Sequence, residues 1–204
     1  PWLRYDGAVF FNGAVVTAGG ESLRAYKIDG ALDIVRAILR DKPETQLSVE
    51  MEDYLYSNMP PESLGDWGSD YGYTRDFHET GGRQVEKILI SSENIQPEGW
   101  EREYAKYIPE DLYMQMSEGA LLMVMNRQAT KLNGIRLLAE RYGVGLGEIA
   151  AFGDDVNDIE MLTACGVGVA VGNALPEVKA AADEVCGSNE EEGVARWIWG
   201  NVLT

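Results

Sequence analysis

Histidine is almost absent from this chain: His78 is the only one in 204 residues. Zinc sites built from several histidines are therefore excluded. A Ser-His-Asp triad would have to use His78, which lies in a polar stretch with no nucleophile elbow beside it. Cysteine is scarce too. Cys165 and Cys186 stand far apart and fit neither zinc-knuckle nor redox-pair spacing, which points to reduced, buried thiols in a cytoplasmic protein. Basic residues are few: 17 Lys and Arg against 34 Asp and Glu give a formal net charge of −17. This balance argues against nucleic acid or an anionic membrane as the main partner, because phosphate-backbone binding needs Lys and Arg. It leaves room for small phosphorylated ligands, and the acid excess itself reads as solubility. No apolar run reaches the length needed to span a bilayer.

What is present suffices for a globular core, with 45% hydrophobic residues. Residues 8–16 read as two short strands about an Asn-Gly turn, and Leu23 to Ile28 as a further strand. Asp29 is placed to cap a helix running to Arg40, with Leu32, Val35, Ile38 and Leu39 on one face. A hairpin over 46–57, a strand over 86–91, a helix from Pro97 to Tyr107 and a hairpin over 112–125 follow. Helix plus hairpin thus occurs twice, which predicts one antiparallel sheet with helices on one face. Residues 59–84 carry Trp67, Tyr71, Tyr73 and Phe77 without clear periodicity, as either a lid or a surface excursion.

After Asn126 the pattern changes. A helix over Lys131 to Tyr142 ends at Gly143; strand 149–152, helix 156–164, strand 167–171, helix 175–182 and a last helix from about Glu190 follow. Strands alternating with helices mean a parallel sheet. The fold class is α/β, a Rossmann-like core over 1–28 and 127–204 interrupted by an α+β insert over 29–126 built on the antiparallel sheet.

The most informative segment is Phe152-Gly153-Asp154-Asp155-Val156-Asn157-Asp158. An apolar strand ends at a glycine, and three carboxylates and an amide follow in five residues, at the strand end where open α/β sheets bind ligands. Like charges this close repel unless a cation neutralises them, and Mg²⁺ takes one or two carboxylates while keeping sites for water and phosphate. Asp154 is the best-placed direct ligand. Asp158 can hold a metal-bound water or orient a lysine, Asn157 can donate to a phosphate oxygen or another carboxylate, and Asp155 points outward. A calcium loop fails, because the EF-hand Gly and terminal Glu are missing. Lys131 opens its helix against the dipole, a placement that an anionic partner would offset. Gly172-Asn173-Ala174 shapes the pocket floor.

Together these segments resemble the haloacid dehalogenase-like superfamily, in particular its Cof-type sugar-phosphate phosphatases. Thr130-Lys131 is similar to the family's lysine motif, and Gly153-Asp154-Asp155-Val156-Asn157-Asp158 to its acidic motif. Gly168-Val169-Ala170-Val171-Gly172-Asn173-Ala174, Ala182-Asp183 and Gly193-Val194-Ala195 keep the family's order, and Asn12-Gly13-Ala14 matches the segment before its cap. The resemblance implies a Mg²⁺-dependent phosphoric monoester hydrolase acting on a small phosphorylated metabolite through an aspartyl-phosphate. It implies that Asp154 and Asp158 serve the metal, and that Lys131 and Asn157 hold substrate and nucleophile. The family's Asp-x-Asp-Gly-Thr nucleophile motif does not occur in these residues; Asp6-Gly7-Ala8 matches only its second half, and Arg4 stands at the nucleophile position. Two strand-helix units are therefore expected before Pro1, and the 204 residues alone are expected to be inactive. A non-catalytic metal- or phosphate-binding remnant and a phosphomutase are the alternative readings.

Overall fold

The computed structural model describes residues 5–60, 71–91, 99–117 and 121–203. Arg4, Trp67 and Pro97, named above, lie outside them, as do residues 118–120 of the second hairpin. Strands β1 (Gly7–Phe10), β2 (Val15–Ala18) and β3 (Glu21–Ala25) lead to helix α1 (Ala31–Asp41). Then come β4 (Gln46–Met51), β5 (Tyr54–Ser57), β6 (Gly72–Tyr73), β7 (Lys87–Ser91), α2 (Trp100–Tyr104), β8 (Leu112–Ser117) and β9 (Leu121–Asn126). The chain ends with α3 (Lys131–Tyr142), β10 (Ala150–Gly153), α4 (Ile159–Ala164), β11 (Val167–Ala170), α5 (Pro176–Ala181), β12 (Glu184–Val185) and α6 (Gly193–Asn201). Two compact units result: Pro1–Leu23 with Thr130–Thr204, and Arg24–Ala129 between them. The breaks fall at 23/24 and 129/130, where the sequence suggested 28/29 and 126/127.

In the middle unit six strands form one sheet in the order β6-β5-β4-β7-β9-β8. The two expected hairpins, β4-β5 and β8-β9, flank β7, which pairs antiparallel with both β4 and β9. The sheet is not wholly antiparallel, because the two-residue β6 joins the β5 edge in parallel. One face is apolar: Leu47, Val49, Met51, Ile88, Ile90, Leu122 and Val124 pack with Ile34, Val35 and Ile38 of α1 and Trp100 and Tyr104 of α2. Each of these aliphatic side chains contributes about 1.5–3 kcal/mol by leaving water. The helix cap differs from expectation. Gly30, at φ 66, occupies the N-cap, and Asp29 accepts the Gln84 side-chain amide at 2.7 Å instead. Glu52 and Asp53 turn the first hairpin with φ of 55 and 62, the two positive angles that a type I′ turn needs.

The outer unit contains two separate three-stranded sheets. One is β1-β2-β3, with β1 and β2 antiparallel; the other is β10-β11-β12, all parallel. Strand β12 escaped the sequence reading because two residues carry no periodic signal. Among the described residues, neither β1 nor β10 has a strand on its second side. Helix α3 packs on β1 and β2 and also on α4, so it belongs to both sheets. It ends at Gly143, in the left-handed region as expected. Leu132, Met161, Leu162, Val171 and Val178 form the core beneath the parallel strands.

Candidate active site

The acidic turn follows β10, whose Ala151 and Gly153 are buried. The apolar run ends where the chain reaches the surface: Asp154 is exposed, whereas Asp158 is 1% exposed. Asp158 folds back under the turn. Its Oδ2 accepts the backbone N–H groups of Asp154 at 3.0 Å and Asp155 at 3.2 Å. That fold-back requires Gly153, because a Cβ there would sit 2.4 Å from the Asp158 Cβ. Asp155 does not simply point outward. Its Oδ1 accepts the Val156 N–H at 2.8 Å and caps the short turn that leads into α4.

The second oxygen of Asp158 faces Lys131. The Lys131 Nζ donates to Asp158 Oδ1 at 2.5 Å, with the lysine one-third exposed and the carboxylate buried. The pairing explains how a cation sits at the first position of α3. The helix is capped one residue earlier by Thr130, whose Oγ1 accepts the Asn133 N–H at 3.1 Å. The Thr130 backbone in turn rests against Gly13 of the β1–β2 connection. Gly13 has φ +109, and a Cβ there would come 2.2 Å from the Thr130 carbonyl oxygen. Only glycine meets both demands, which gives the Asn12-Gly13-Ala14 motif a physical role in seating the lysine helix.

The next strand-helix turn holds the Asp154 backbone from the other side. The Leu175 N–H donates to the Asp154 carbonyl at 3.0 Å, and the Val171 N–H to the Gly153 carbonyl at 3.1 Å. The Lys179 Nζ donates to the Gly172 carbonyl at 2.5 Å, and Asn173 Oδ1 accepts the Asn189 N–H at 3.0 Å. Asp183 ties the end of α5 to the start of β11 by accepting the Gly168 N–H at 2.8 Å. With its amide and carbonyl both fixed, Asp154 presents its carboxylate from a rigid frame.

The structure thus joins Lys131, Asp158 and the Asp154 backbone in one hydrogen-bonded chain, with Asn157 in the same turn. The Asn157 Oδ1 is buried without a hydrogen-bond partner, and no described residue donates to the Asp154 carboxylate. An exposed carboxylate and, three residues on, a buried amide oxygen with no partner are hard oxygen donors of the kind that a small divalent cation takes. Sequence reasoning missed the Leu175 N–H contact to Asp154. A backbone donor has no sequence signature, although Pro176 at the start of α5 marks where that helix, and hence its first free N–H groups, must begin.

The haloacid dehalogenase-like hydrolase family profile matches residues 3–198. The chain is 29% identical over 201 residues to the 5-amino-6-(5-phospho-D-ribitylamino)uracil phosphatase YitU of Bacillus subtilis, covering 93% of this chain and 74% of YitU. It is 42% identical over 98 residues to the phosphatase YwpJ of the same organism, covering 48% of this chain and 33% of YwpJ. The matched stretches span 30% and 49% of two further curated relatives, less than half of each. Among solved structures, the subclass IIB sugar phosphatase BT4131 superposes with a TM-score of 0.82 at 26% identity, over 98% of this chain and 76% of that one. A glycine-gated acidic turn paired to a helix-opening lysine, in this fold and with this motif order, places the chain in the haloacid dehalogenase-like hydrolase family, on its Cof-type branch.

Proposed function

We propose that this chain is the larger part of a Mg²⁺-dependent phosphatase for a small phosphorylated metabolite. The carrying observation is the ion pair between Lys131 and the buried Asp158, whose other oxygen holds the backbone N–H of the exposed Asp154. A bound Mg²⁺ supplies charge neutralisation and Lewis acidity at the phosphoryl group. Asp154 is its direct ligand in this reading. Asp158 supports it indirectly, since its oxygens already serve Lys131 and two backbone N–H groups. Lys131 is charge-paired on one side and offers its remaining N–H donors to phosphate. Asn157, in the same turn and with a buried amide oxygen that has no partner, would help hold the substrate. YitU is named for a phosphorylated ribitylaminouracil and BT4131 is described as a sugar phosphatase, which supports that substrate class. The insert over Arg24–Ala129 governs substrate choice, and the free thiols of Cys165 and Cys186 accord with a cytoplasmic setting.

The nucleophile lies outside these 204 residues, which by themselves are expected to hydrolyse no phosphate ester. Among the described residues the second sides of β1 and β10 carry no strand, and further strands would pair there. The test is a panel of sugar and cofactor phosphates offered to the full-length protein with and without Mg²⁺, and to residues 1–204 alone. The account predicts Mg²⁺-dependent release of phosphate by the first and none by the second. Turnover by residues 1–204, or metal-independent turnover by the full-length protein, would contradict it.

A further inference from the structure

The chain's only histidine has no part in the site above, and it does not stand alone. It lies between two carboxylates on a short turn after β6. His78 Nδ1 is 2.9 Å from Asp76 Oδ1 and 3.5 Å from Glu79 Oε2. One ligand atom from each of Asp76, His78 and Glu79 lies within 4.8 Å of the other two.

The turn that carries them is tightly determined. Phe77, between two of the three, is fully buried and held at φ 53, so it anchors the turn in the core of the middle unit. Thr74 Oγ1 accepts the Phe77 N–H at 3.1 Å and donates to Glu79 Oε2 at 2.9 Å. Thr80 Oγ1 donates to the Phe77 carbonyl at 2.9 Å, and the His78 N–H donates to Asp76 Oδ1 at 3.3 Å. A threonine that orients a carboxylate is the kind of outer support on which metal sites depend. Asp76 and His78 are exposed, so coordination positions remain for water.

We propose that Asp76, His78 and Glu79 form a surface site for a borderline divalent cation of the zinc class. One imidazole nitrogen and two carboxylate oxygens suit such an ion better than Mg²⁺, which favours all-oxygen octahedral sets. The ion would take the Nδ1 lone pair of the Nε2–H tautomer, any proton on Nδ1 passing to solvent, together with one carboxylate oxygen from each of Asp76 and Glu79. The charge of Arg36 on α1 acts weakly against a positive charge on His78, and would act in the same sense against a bound cation. The site is independent of Asp154, in residues and in preferred metal.

The test is Zn²⁺ titration of the full-length protein in excess Mg²⁺, followed by the NMR signals of the His78 ring, assigned by their loss in His78→Gln. Micromolar Zn²⁺ is expected to shift or broaden them. Thr74→Val should weaken the effect about tenfold, the scale of an outer-support loss, and Asp76→Asn and Glu79→Gln should weaken it further. Arg36→Gln should strengthen it slightly. Substitutions at exposed positions such as Asp76 leave the fold intact. An unchanged His78 signal up to millimolar Zn²⁺ overturns the proposal. So does a response that survives in both Asp76→Asn and Glu79→Gln, which would mean binding to a lone imidazole.

Discussion

At the acidic turn after β10, one buried carboxylate holds a lysine and two backbone N–H groups, and glycine makes the room. In the middle unit, Leu47, Ile88 and Leu122 are fully buried in an apolar cluster shared with the helices α1 and α2. The first region is ordered by directional polar contacts whose loss leaves charges unpaired. The second is ordered by apolar area, which tolerates exchange of one aliphatic residue for another. Chemistry can be placed to fractions of an ångström only where the backbone itself is pinned, as Asp154 is by Asp158 on one side and Leu175 on the other.

Substitutions should separate the two regimes. The largest effect belongs to Asp154→Asn in the full-length protein. Phosphatase activity should fall by more than about a hundredfold, beyond the loss seen when only an outer support is removed. Its melting temperature should barely change, because the side chain is exposed. Leu122→Ala should do the reverse. Denaturant unfolding should show a loss of about 2–5 kcal/mol, while turnover of a small unspecific phosphate ester per folded molecule persists. Lys131→Met crosses the divide. It strands the buried Asp158 carboxylate, costing about 3–5 kcal/mol in unfolding experiments, and also abolishes turnover. Removal of the Asp155 cap by Asp155→Ala should cost about 1 kcal/mol.

The smallest effect is a pH dependence at the Asp76–His78 pair. The hydrogen bond to Asp76, then the charge of Glu79, raise the His78 pKa above its ordinary value, and the bond to His78 lowers that of Asp76. The raised histidine stabilises the fold at low pH, and that contribution is lost as pH rises through its folded pKa. The lowered aspartate stabilises at higher pH, and its contribution is lost as pH falls through its own. The pair therefore contributes between the two values. NMR titration of the His78 ring should show a midpoint that drops in Asp76→Asn, and an unchanged midpoint would remove the coupling.

The two regions were also unequally legible in the sequence. The site could be read because its parts sit at fixed short spacings: Gly153, Asp154 and Asp158 span one turn, and Thr130-Lys131 opens one helix. That Asp158 could orient a lysine was readable, whereas the choice between that role and a metal-bound water needed the fold, since 27 residues separate it from Lys131. The helix-plus-hairpin repeat was readable from period alone, whereas the central place of β7 between the two hairpins was not, because strand order depends on long-range pairing. Gly30 displaced Asp29 as the α1 cap for a similar reason. Gln84, 55 residues away, offers Asp29 a partner that local propensity cannot see.

The most direct test of the central claim is Mg²⁺ binding to the full-length protein by isothermal titration calorimetry, compared with Asp154→Ala and Asp158→Asn. The account predicts saturable binding to the unmodified protein, none to Asp154→Ala, and weakened binding to Asp158→Asn, in which the frame loosens but the ligand remains. Equal affinity for the unmodified protein and Asp154→Ala would contradict it.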